Sequence, residues 1–266
     1  MQSRIFKLAA TAALASACVP ALAHISYTGR NLGSYTGLTD GSNLISNQTV
    51  SGNFGWADAT DADFGDSHKS RAFRFHLDNE AWVTISAEAN PTATGASIGG
   101  LLPGFSIYSG LVHIAPAAAD HDGANVSLDY LATLPGVAKE GAWNALGDWK
   151  IGNDSGVSFA DLSSLTFKGY AVDGTSANFG SAAGVMGDGL ADGKVKGTFK
   201  LAAGDYSVFV AGADYAAQDL SNPLLAKAYG VSVGINVAAV PEPETYALLL
   251  AGLGIVAMVR RRQQAR

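Results

Sequence analysis

Between Arg71 and Val237 the apolar residues recur in short runs at every second position, with no helical heptads. A period of two marks a strand with one buried face, so the chain is bound to build sheets. In Arg71–Leu77, Phe73, Phe75 and Leu77 point one way while Arg74 and His76 point the other. In Ala81–Ala87, Val83, Ile85 and Ala87 share a face and Trp82 lies opposite. Asp78-Asn79-Glu80 between the two runs predicts a hairpin. Phe105 and Ile107 share a face, and Pro103 suits an edge position or a strand start. Gly197–Leu201 and Tyr206–Val210, joined by Ala202–Asp205, predict a second hairpin. Tyr229–Val237 closes the domain with Val231, Val233, Ile235 and Val237 inward.

The remaining stretches are less regular. His24 to Asp66 reads as short strands and loops punctuated by glycine, and Ala115–Asp148 as a mixed section with room for a short helix or an insertion. Leu162–Tyr170 is strand-like, and Asp173–Asp192 is a glycine-rich loop. Many short strands with turns about every 8 to 12 residues predict a mainly β protein, an antiparallel β-sandwich. Glycine, at 32 of 266 residues, and a charged fraction of only 15% agree with that class.

Both ends of the chain carry processing signals. Arg4 and Lys7, an apolar stretch from Leu8 to Pro20, and Ala21-Leu22-Ala23 form a secretory signal peptide with an A-x-A cleavage site. Cleavage there makes His24 the first residue of the exported chain. Cys18 offers a lipoprotein alternative, but its box lacks the usual leucine three positions earlier. Cys18 is the only cysteine, so the exported chain has neither a disulfide nor a thiolate site. Signal and tail carry six basic and two acidic residues. The core keeps 11 Lys/Arg against 21 Asp/Glu, a net charge of −10. Such a core excludes a binder of nucleic-acid backbones, which needs a basic surface.

The C-terminal stretch has three parts. Pro241-Glu242-Pro243-Glu244 is stiff and cannot extend the preceding strand. Tyr246–Val259 is an uncharged apolar run of 14 residues, followed by Arg260, Arg261 and Arg262. Hydropathy alone reads this as a membrane anchor whose arginines mark the cytoplasmic side. The three parts in order resemble the PEP-CTERM sorting signal handled by exosortase. That resemblance implies a Gram-negative envelope protein held briefly in the inner membrane by a transmembrane sorting helix. The chain is then cut near Pro241-Glu242-Pro243 and left at the cell surface or in the extracellular matrix. It also implies signal peptidase and exosortase as partners, and an association with exopolysaccharide and biofilm. The division expected is residues 1–23 as signal peptide, 24–239 as β-sandwich ectodomain, and 240–266 as sorting tail. Within the ectodomain, Phe73–Leu77, Val83–Ile85, Pro103–Tyr108 and Leu201–Val210 resemble the jelly-roll strands of the bacterial pre-peptidase C-terminal type, which are accessory modules more often than enzymes.

Candidate ligands are few. Asp61, Asp63 and Asp66 place three carboxylates in six residues, and Asp120 and Asp122 flank His121. Oxygen clusters in loops suit Ca²⁺, although no twelve-residue EF-hand loop is present. His24 would carry a free α-amine beside its imidazole, a pair that can chelate Cu²⁺ with His113 or His121 completing the site. This arrangement resembles the histidine brace of copper oxygenases and periplasmic copper carriers. Trp56, Trp82, Trp143 and Trp149 could each stack on a sugar. No nucleophile elbow, zinc-protease helix, P-loop or dinucleotide fingerprint occurs, so the chain is expected not to be an enzyme. The function expected is that of an exported matrix protein; the alternatives are a carbohydrate- or calcium-binding module, or a copper protein.

Overall fold

The computed structural model describes residues 25–57, 64–112, 129–134, 141–151, 160, 162–175, 185–214, 227–240 and 243–264. Twelve strands form most of it: β1 (Asn31–Tyr35), β2 (Gly41–Ser51), β3 (Phe64–Asp66), β4 (Arg71–Leu77), β5 (Ala81–Ala89), β6 (Pro103–Ser109), β7 (Ala142–Asn144), β8 (Trp149–Ile151), β9 (Ser163–Val172), β10 (Lys194–Leu201), β11 (Gly204–Gly212) and β12 (Ala228–Ala239). A six-stranded sheet runs β1-β4-β11-β6-β9-β8, and a four-stranded sheet runs β10-β5-β12-β2. β3 and β7 make a small separate pair. Every pairing is antiparallel except β1 with β4.

The two large sheets bury their alternating faces against each other. Phe73, Phe75 and Leu77 of β4 meet Val83, Ile85 and Ala87 of β5 in one core, together with Val231, Val233, Ile235 and Val237 of β12. Each large aliphatic or aromatic side chain enclosed there contributes about 1.5–3 kcal/mol. The inward faces are therefore those the period of two predicts.

Strand partners differ from the expected hairpins. β4 and β5 lie in different sheets, as do β10 and β11. The two pairs exchange partners: Leu77 of β4 sits opposite Gly204 of β11, and Ala81 of β5 sits opposite Leu201 of β10. A tight hairpin needs left-handed residues at its turn, and no residue other than glycine has positive φ among those described. Asp78-Asn79-Glu80 instead bridges the sandwich, which lets Leu77 and Ala81 enter the same core from opposite walls.

A second apolar layer covers the far face of the six-stranded sheet. Along β11, Tyr206, Val208 and Val210 face the sandwich core, while Phe209 and Ala211 pack with Trp56, Tyr108, Trp143 and Trp149 on the other side. Tyr108 donates a hydrogen bond to the Asn144 carbonyl, tying the β7–β8 segment onto the sheet. Pro103 begins β6, which lies between β11 and β9; of the two placements expected for it, the strand start is the one adopted. β2 is longer than the short runs expected before Asp66: its 11 residues are mostly polar, and all but Val50 are exposed or half-buried.

Helix α1 (Pro243–Gln264) carries the tail. No helix among the described residues is long and apolar enough to cross a membrane. The apolar run of 14 residues reaches about 21 Å, against the roughly 30 Å of a hydrocarbon core.

Candidate functional site

The tail leaves the sandwich at one end, which is built from loops 36–40, 78–80 and 202–203. β12 ends at Ala239, paired with Ala81. The Ala239 amide donates to the Asp40 carboxylate at 3.2 Å. One residue, Val240, separates the strand from Pro241. Pro243 opens α1, the position where a missing amide costs a helix nothing. Arg260, Arg261 and Arg262 are exposed near its C-terminal end, where positive charge suits the helix dipole.

The same end carries a clamped histidine. His76 on β4 lies opposite Asp205 on β11. Its Nδ1 is 2.8 Å from Asp205, and its Nε2 is 3.1 Å from Asp78. A neutral imidazole has one N–H, so two carboxylate contacts favour the imidazolium. The Asp205 hydrogen bond accordingly raises the His76 pKa, with Asp78 adding to it. Asn31, Ser34, Arg74, His76 and Asp205 line a shallow hollow of about 250 Å³ beside the clamp. Lys200 pairs with Glu80 at 2.8 Å.

The other sequence candidates separate into two groups. Ala21, Ala23, His24, Asp61, Asp63, His113, Asp120, His121 and Asp122 lie outside the described residues, as do Pro241 and Glu242. Asp66 is described, and it is engaged: Lys69 Nζ lies 3.1 Å away, and the His68 ring and amide contact its carboxylate. Burial pushes the Asp66 carboxyl up, but the His68 and Lys69 contacts outweigh it and hold the pKa at about 2. No group of three or more histidine, cysteine or acidic residues is placed to hold a metal ion among the described residues.

Of the four tryptophans, Trp56, Trp143 and Trp149 are buried, and sugar stacking at those three is ruled out. Trp82 is 45% exposed. It stands on the outer face of the four-stranded sheet with Thr84 and Ser86 of β5 and Lys196, Thr198 and Lys200 of β10. There Thr84 and Thr198 share a 2.8 Å hydrogen bond. One residue that sequence reasoning missed is Asp173. It is fully buried, and its carboxylate accepts the amides of Asp192 and Gly193 at 3.2 and 2.7 Å. A buried carboxylate in a glycine-rich loop leaves no periodic trace by which it could have been found.

Comparison with known proteins identifies the tail. Residues 239–263 match the PEP-CTERM protein-sorting motif, a match that begins at the last residue of β12. The chain is exported, marked for exosortase processing and sorted to the cell surface. No curated protein matches it. Among solved structures it is similar to CorA of Methylomicrobium album BG8, a surface-associated copper-binding protein important in copper acquisition. The identity is 19%, over 82% of this chain and 98% of that one, with a TM-score of 0.45. It is also similar to MopE of Methylococcus capsulatus, a secreted protein in which an oxidised tryptophan facilitates copper binding. Here the identity is 15%, over 79% of this chain and 87% of that one, with a TM-score of 0.40.

Proposed function

We propose that this chain is a non-enzymatic β-sandwich of the extracellular matrix, released at the surface by exosortase and associated there with exopolysaccharide. Signal peptidase removes residues 1–23, and cleavage near Pro241–Glu244 detaches the tail. The observation that carries this reading is the position of the sorting motif. It starts where β12 ends, so its removal takes no strand from the sandwich. The test is the intact mass and terminal peptides of the protein isolated from its native host. A chain that starts at His24 and ends between Pro241 and Glu244 is the expected result. A chain that still carries Arg260–Arg262 overturns the matrix reading.

The exposure of Trp82 favours a second reading, a carbohydrate-binding module. An indole standing among hydroxyl and ammonium side chains suits a sugar ring, whose apolar face stacks on the aromatic. Trp82→Ala is then expected to lose retention on the host's own polysaccharide without a change in thermal stability. Equal retention of the two proteins ends that reading. Copper binding at His24 is a third reading, and a start at any other residue removes it. Calcium has no support beyond the scatter of aspartates in the sequence.

A further inference from the structure

The distance between the fold and the cleavage motif is fixed by chain length. From Ala239, still paired in the sheet, to Pro243, the first residue of α1, there are four Cα steps. Fully extended, four steps span at most ~14 Å. An enzyme that holds residues on both sides of a bond near Pro241–Glu244 therefore works directly against the end of the sandwich from which the tail emerges. Ordinary acidic loops are solvated surface; here the tether forces the loops and the enzyme together.

We propose that this end of the sandwich, formed by loops 36–40 and 78–80, is an interaction surface for the sorting enzyme and is read together with the linear motif. Three observations fit one occupant. The surface is continuous with the motif, because Asp40 binds the amide of Ala239. Its charge has the same sign as that of the motif. Asp40, Asp78, Glu80 and Asp205 are exposed around the exit point, opposed by Lys200 and the clamped His76. The motif adds Glu242 and Glu244. A partner cleft that accepts those two glutamates presents basic groups, and complementarity continues onto the loops. Leu38, 60% exposed at the tip of loop 36–40, supplies an apolar contact among these charges. An anionic bilayer surface is the poorer occupant, since it attracts basic rather than acidic segments. The inference rests on exosortase sorting and adds to it a contribution from the folded domain.

The experiment follows tail removal over time in the native host by the mass shift of the full-length chain. Four versions are compared: wild type, the variant Leu38→Ser/Asp78→Asn/Glu80→Gln, and each of these with a twelve-residue Gly/Ser spacer inserted between Val240 and Pro241. The variant is expected to lose its tail several-fold more slowly than wild type. With the spacer, the two are expected to be processed at equal rates, because the domain no longer has to dock. Equal rates without the spacer overturn the proposal. So does an equal slowing with and without it, which would trace the effect to folding or export. A wild-type chain that keeps its tail removes the sorting reading itself, and this inference with it.

Discussion

At Asp66 two partners converge on a carboxylate that the sequence offers as a calcium ligand. The Lys69 ammonium and the His68 ring hold its pKa at about 2, below the ordinary value of 3.8. A depressed carboxylate stabilises the fold at pH values above the ordinary range, and the contribution is lost as pH falls through the folded value. At 1.36 kcal/mol per unit this amounts to about 2 kcal/mol at neutral pH. Asp66→Asn is therefore expected to be less stable than wild type by about that much at pH 7, with the gap closing toward pH 2. Urea unfolding of both proteins across that range checks it. The three carboxylates were legible in the sequence, but the lysine that occupies one of them was not. A Lys three positions later reads equally well as solvated. Trp82 shows the opposite case: its exposure follows from strand alternation alone, whereas the burial of Trp143 and Trp149 depends on a second layer that no local pattern announces.

Among the elements, β4, β5, β6, β11 and β12 were legible because each keeps one apolar face at period two. β2 was not, because an edge strand whose side chains mostly meet water has no apolar stripe to read. Pairing partners were also hidden, since a run of alternating residues packs equally well in a hairpin or across a sandwich. The loop before β10 hides a buried carboxylate. Burial raises Asp173 to about 6 against the pull of the Asp192 and Gly193 amides, with Asp188 and Asp192 adding to the rise. A carboxyl whose pKa is raised by folding stabilises the native state below the ordinary value of 3.8, and loses that contribution as pH rises through 6. Asp173→Asn removes this dependence. The stability of wild type relative to the variant is expected to fall by about 2 kcal/mol between pH 4 and pH 7. Paired denaturation curves at the two pH values measure it, and a constant difference rules it out.

Taken whole, the molecule is a sandwich with a sorting address attached one residue past its last strand. The address was legible because its recognition is linear: proline stiffness, a short apolar run and terminal arginines need no fold to be read. A ligand site was not legible, because residues that would share one come from distant strands whose partners the sequence does not specify. The strand order has a kinetic consequence. Among the described residues β2 pairs only with β12, and Gly41 waits for Val237. β4 must find β11, and β5 must find β10, across most of the domain. Contacts so distant along the chain make closure slow, on the scale of milliseconds to seconds for all-β sandwiches. A chain exported from its N-terminus thus keeps β2 unpaired until β12 emerges. The same few residues that complete the fold also deliver the sorting motif, so folding and recognition reach readiness together.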